Sequence, residues 1–163
     1  MKFEFTQRFH HPVEDVERVL LDTAFITEMA TLPKLGTPEV LGRDVSGAIV
    51  TLRVRYAFVG EVSAAVRRVV DPARLTWVEL STTDTSTHRA TFRIIPDNYG
   101  KLLRCEGTYE LQAASPGAVR VARGEVRVNV PLVGSKVERV IVSGMDDHAQ
   151  AEADLVEAWL GRH

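Results

Sequence analysis

Residues 136–160 read as one uninterrupted amphipathic helix, and a chain of 163 residues that ends this way has few folds open to it. At about 100° per residue, Val137, Val140, Ile141, Gly144, Met145, Leu155, Val156 and Trp159 share one arc. Arg139, Asp146, Asp147, Gln150, Asp154 and Glu157 fall on the opposite, solvated side. A helix of about 25 residues is roughly 37 Å long, longer than a small domain can cover with short loops. Ser135-Lys136-Val137-Glu138 has the spacing of a capping box, in which serine and glutamate satisfy each other's orphan N–H groups. Gly161 supplies a stop.

What precedes this helix alternates with period two. Phe3, Phe5 and Phe9 share one face of a strand over residues 2–9, and Gln7 shares their parity. Pro12, with Glu14 and Asp15 after it, opens a short helix whose apolar face is Val16, Val19 and Leu20. A second short helix covers 23–31, with Phe25, Ile26 and Met29, and residues 32–38 break it into a loop. Strands follow at 39–46 and 47–58. In the second, Ala48, Val50, Leu52, Val54, Tyr56 and Phe58 alternate with Thr51, Arg53 and Arg55. Val62, Val66, Val69 and Val70 have helical spacing. A strand region with Leu75, Trp77, Val78 and Leu80 comes next, both of its parities being partly apolar, and Ser81 to Thr87 reads as a turn.

Two further strands show Ala90, Phe92 and Ile94, then Leu103, Cys105, Gly107, Tyr109 and Leu111, on their inward parities, with the turn cluster Pro96 to Gly100 between them. In the last strand Val119 and Val121 have one parity and Val126, Val128 and Val130 the other. A β-bulge near Arg123-Gly124 would reconcile the two. Strands gathered together and followed by one long helix specify an α+β fold. An antiparallel sheet buries such a helix by curling around it, which leaves a pocket between the two. No repeat or linker divides residues 1–163, so the expectation is one domain.

Composition removes several classes of function. Twenty basic residues against 22 acidic give a net charge of -2, without the basic stripe that nucleic acid requires or a polybasic membrane tether. Cys105 is the sole cysteine, which excludes an internal disulfide and suits a reducing, cytoplasmic compartment. The charged, alternating N-terminus does not read as a signal peptide, and no apolar run is long enough to span a bilayer. Among the basic residues 16 are Arg and 4 are Lys, a bias of GC-rich bacterial coding rather than of physics.

The stretches FEFTQRFHHPVEDVERVLLD, LPKLGTPEVL and VPLVGSKVERVI resemble the START-like (SRPBCC) superfamily, the helix-grip group that includes the birch-pollen-allergen proteins. The resemblance covers nearly the whole chain and is nearest to a bacterial branch described only as a domain of unknown function. It implies a curved antiparallel sheet gripping the C-terminal helix, with two short helices after the first strand. Members of the wider group bind sterols, lipids, polyketides and other apolar molecules, and some are cyclases or other enzymes. The resemblance therefore implies a ligand pocket without fixing the ligand.

Within such a pocket Tyr56, Phe58, Phe92 and Tyr109 from the sheet, with Ile141 and Met145 from the helix, form an apolar lining. His148 lies at the centre of the helix's apolar arc and Glu152 one turn on. Such a pair receives a polar group of a ligand, acts as acid and base, or hydrogen-bonds within the core. A metal would need a further ligand, for which His88 is the candidate, and the expectation is none. Arg123 is the candidate counter-charge for Glu152, and loops 31–38 and 96–101 are placed to gate the mouth. Neither a nucleophile elbow, a zincin helix nor a dinucleotide-binding glycine loop occurs, and no cofactor is expected. The expected function is binding of a small apolar or amphipathic molecule. A cyclase- or hydrolase-type enzyme using the same pocket, or a module with a filled core that associates with protein, are the alternatives.

Overall fold

The computed structural model describes residues 1–163. Seven antiparallel strands form one sheet in the order β1-β7-β6-β5-β4-β3-β2. They are β1 (Lys2–Phe9), β2 (Glu39–Ser46), β3 (Ile49–Ala57), β4 (Thr76–Asp84), β5 (Arg89–Pro96), β6 (Leu103–Ala113) and β7 (Ala118–Val128). Helices α1 (Val13–Leu20) and α2 (Thr23–Glu28) follow β1, a single turn α3 (Ala64–Arg67) interrupts the sheet, and α4 (Gly134–Arg162) closes the chain. The segregated α+β architecture expected from the strand and helix periods is the one that forms.

One concave face is defined by register alone. Tyr56 pairs with Trp77 and Val54 with Glu79. Glu79 pairs with Ile94 and Ser81 with Phe92, Ala90 with Tyr109, Tyr109 with Ala122, and Gln7 with Arg120. Residues opposite each other in an antiparallel pair share a face, so these side chains all point inward. Trp77 is thereby placed on the concave side. Helix α4 makes its closest backbone approaches to β1 and β7, and its Ala153 and Val156 join Val50, Leu52, Val54 and Tyr56 of β3 in one buried cluster. Val156 and Ala153 are its buried anchors, and Phe25 meets Trp159 edge to face at 5.7 Å.

Two local expectations are corrected. No bulge breaks β7, whose pairing with β1 and β6 is continuous through Arg123 and Gly124. Its inward residues are Ala118, Arg120, Ala122, Gly124 and Val126, while Val119 and Val121 turn outward. The register shift lies instead in β2, between Val40 and Gly42. The tract from Ser81 is not a turn: β4 continues to Asp84, because Ser81 and Thr83 stand opposite Leu52 and Val50 in the ladder. The short helix expected from the spacing of Val62 to Val70 forms as the single turn α3, with no buried residue.

The capping box does not form either. Helix α4 begins at Gly134 and takes no side-chain cap. Glu138 instead accepts from the Val128 N–H at 3.1 Å and from the N-terminal ammonium at 3.2 Å, and those hydrogen bonds lower its carboxyl below the usual range. A Cβ on Gly134 would lie 2.5 Å from the Val128 carbonyl oxygen, so glycine allows the helix to start tight against the end of β7.

Gly107 and Gly124 face each other across β6 and β7. A Cβ on Gly107 would sit 2.2 Å from the Arg123 carbonyl oxygen and 2.8 Å from the Phe92 ring. The missing side chains therefore leave a flat floor on which Phe92 and Phe3 rest. Gly107→Ala is expected to lower stability by about 3 kcal/mol, at the upper end of overpacking costs. Urea unfolding would show this as a fall in midpoint at unchanged slope.

Candidate functional site

The polar heart of the concave face joins three elements. Arg120 of β7 donates from one guanidinium nitrogen to Glu152 Oε1 of α4 at 2.9 Å and to Gln7 Oε1 of β1 at 3.0 Å. Gln7 in turn donates to Glu152 Oε1 at 3.1 Å and to the Ala149 carbonyl at 2.6 Å. The Arg120 and Glu152 side chains are only 14% and 15% exposed, which puts the pair among buried ion pairs, where removing one partner is costly. Arg120 also lies over Tyr109, with its Cζ 3.7 Å from the ring centroid. Tyr109 carries Phe92 on a stacked contact at 4.6 Å, and Tyr56 stacks on Trp77 at 6.0 Å.

Glu79 was not among the residues expected here. It stands on the inward face of β4, between Val54 and Ile94 in the ladder. Burial, followed by the nearby charge of Glu152, pushes its carboxyl up to about 7, with Arg120 opposing. The carboxylate hydrogen-bonds no protein group, nor do the hydroxyls of Tyr56 and Tyr109, yet none of these oxygens is sealed inside packed side chains. Strand register puts all three side chains on the concave face, the side that α4 covers. Burial raises both phenols well above their ordinary value, with Glu79 adding to the shift in each. Cys105, on the same face, is pushed up to about 12 by burial and by Glu79 and Glu106, so it is an inert thiol.

The expected lining residues divide into three groups. Tyr56 and Phe92 are buried on the concave face, and Tyr109 lies beside them. Ile141 and Met145 pack from α4 against the cluster of Phe3, Phe5, Phe92, Cys105, Ala122 and Val126. Phe58 lies beyond the end of β3, where it bridges to Leu35, and a Cβ on Gly60 would come within 2.7 Å of its ring, so it belongs to the rim.

His148 and Glu152 do not act as a pair. Glu152 is held by Arg120 and Gln7, whereas His148 is half-buried at the edge of the helix stripe centred on Met145, Ala149 and Val156 and makes no hydrogen bond. His88 is occupied with Glu17 at 3.0 Å. Arg123 lies on the convex face, 2.7 Å from Glu4, so Arg120 replaces it as the counter-charge of Glu152.

The loops at the rim are fastened. Arg55 grips Asp97 through two hydrogen bonds of 3.0 and 3.1 Å, and Gly36 donates to the Ala57 carbonyl. Two surface hollows lie elsewhere. One, of about 260 Å³, is walled only by Arg104, Glu106, Glu125 and Arg127 on the convex face. The other, of about 640 Å³, is an open depression by Met1, Leu102, Val128 and Glu138. Neither offers the mixture of apolar wall and convergent polar groups found on the concave face.

The profile of a family described as protein of unknown function (DUF2505) matches residues 4–160. No curated protein matches the sequence. Among solved structures, TTHA0849 from Thermus thermophilus superposes with a TM-score of 0.70 at 19% identity, over 97% of this chain and 95% of that one. The ZhuI aromatase/cyclase from Streptomyces sp. R1128 gives 0.65 at 13%, over 99% and 94%. Norcoclaurine synthase from Thalictrum flavum gives 0.64 at 16%, over 100% and 86%. At these identities the likeness is one of fold, the curved sheet gripping a C-terminal helix.

Two outcomes test the site's energetics. Arg120→Met is expected to cost about 3 kcal/mol by leaving Glu152 uncompensated, with much of that regained in Arg120→Met/Glu152→Met, as a double-mutant cycle in urea would record. Glu79 has a raised carboxyl, so the folded state holds its proton longer than the unfolded chain and stability falls as pH rises between the two values. From about pH 4.5 to pH 7 the wild type should lose roughly 3 kcal/mol relative to Glu79→Gln, measured by urea unfolding at each pH.

Proposed function

The chain belongs to the DUF2505 family, and from the chemistry of its concave face we propose that it binds a small apolar or amphipathic molecule between the sheet and α4. The observation that carries this reading is the combination, on one concave face, of aromatic walls with the side-chain oxygens of Tyr56, Tyr109 and Glu79, which hydrogen-bond no protein group. Polar groups on a largely apolar face gain by being given a ligand or water as a hydrogen-bond partner. Phe92, Ile141 and Met145 form the apolar end, and Tyr56, Tyr109 and Glu79 receive the polar end. Phe58 stands at the rim. Glu152 acts indirectly, by holding Arg120 over Tyr109.

A core filled by its own side chains would bury the same aromatics without leaving carboxyl and phenol oxygens unbonded, which weighs against a purely associative module. An enzymatic use of the same space would turn on Glu79, whose carboxyl at about 7 suits proton transfer near neutrality. His148 with Glu152 suits it less, because Glu152 is already committed to Arg120. The assignment of residues 1–163 to one ligand-binding unit follows from this reading. No helix is long and apolar enough to cross a membrane.

Native mass spectrometry of freshly purified protein is expected to show a discrete added mass that solvent extraction removes and that returns from a lipid and aromatic panel. A clean apo mass, with no uptake from the panel, would overturn the binding reading.

A further inference from the structure

The concave face carries one acid more than its bases neutralise. Glu152 and Arg120 pair with each other. The other base of this face, Arg43, stands opposite Leu52 at the β2 edge, where it is exposed and donates to the Leu21 carbonyl. Glu79 has no basic neighbour of its own. The groups that bear on it come from each surrounding element: Tyr56 from β3, Cys105 and Tyr109 from β6, Arg120 from β7, and Glu152 from α4, with His148 one turn before it. The thiol and both phenols are held neutral by burial. Two carboxylates against one guanidinium leave a formal deficit of one positive charge in a low-dielectric interior, where an unpaired anion is costly.

We propose that the interior site selects an organic amine, with a protonated amino group bonded to Glu79 and a flat apolar body lying against Tyr56, Trp77 and Phe92. This rests on the binding reading above and names the class of ligand. An ammonium supplies the missing charge and donates hydrogen bonds to a carboxylate that accepts none from the protein. Trp77 is Glu79's neighbour on the same face two residues along β4, and Tyr56 is diagonal to it across β3. Aromatic faces thus flank the place where the cation would sit, and they attract it further. The same arithmetic disfavours a carboxylate ligand such as a fatty acid, which would add a third anion to the site.

The test compares phenethylamine with 2-phenylethanol, and tryptamine with tryptophol, by isothermal titration calorimetry on the full chain. Each pair differs only in ammonium against hydroxyl. At about pH 8 the amines are expected to bind at least ten-fold more tightly than the alcohols, the gain of one buried ion pair with cation–π support. That preference should shrink towards about pH 5.5, where Glu79 takes up its proton. It should vanish in Glu79→Gln, in which amine and alcohol of each pair are expected to bind with equal affinity. The pH series on the wild type gives the answer even where the variant folds poorly. Equal affinity of amine and alcohol at the higher pH, or a preference that survives in Glu79→Gln, would overturn the amine inference while the binding reading stands. Binding of none of the four overturns the inference as well, and the mass measurement then decides the binding reading separately.

Discussion

Arg120 is the point at which sheet and helix are fastened. Through Glu152 it ties α4 to β7, and through Gln7 it brings β1 into the same cluster. The cluster fixes where along its length the helix crosses the sheet, because polar groups buried at 14% and 15% exposure tolerate little sliding. Apolar packing around Ala153 and Val156 supplies attraction without such a register. With α4 held closest to β1 and β7, the inward residues of β4 and β5, Glu79 among them, lie off the helix's line of closest approach.

The same cluster separates two carboxylates that sit on one concave surface. Glu152 has a guanidinium and an amide, so its charge is satisfied. Glu79 has neither, and its carboxyl rises to about 7. Environments that push like groups apart in this way are how a protein keeps one acid structural and another available to a ligand. Tyr109 links the two halves: Arg120 lies on one of its contacts and Phe92 on another, so removal of the ion pair would also disturb an aromatic wall.

Much of the fold is legible in the sequence. The aromatic alternation of β1, the clean period of β3 and β6 and the helical arc of 136–160 each reflect a side chain's need to leave water, a need that local spacing reports directly. The site was less legible, and particular residues show why. In β7, Val119 and Val121 look like core positions, so the sequence invites a bulge near Arg123. In the structure the apolar pair faces outward and Arg120 faces inward, because an arginine with a buried partner is stable where an arginine alone is not. In β4 the inward series is Trp77, Glu79, Ser81 and Thr83, which has no apolar period, so spacing alone neither assigns its face nor marks Glu79 as inward. Glu138 matched a capping box, yet the nearer donor in space is the Val128 N–H at the end of β7.

By itself, then, the sequence determined most element types, the α+β class, the inward placement of Tyr56, Phe92, Ile141 and Met145, and the presence of Gln7 and Glu152 on inward faces. Those follow from periodicity, a property of the chain's own neighbours. Tertiary structure alone decided which base meets Glu152, that Glu79 is left without one, and that Phe58 and His148 stand at the margins. Each of these depends on strand pairing and on where α4 crosses the sheet, relations between residues far apart in sequence that no local spacing records.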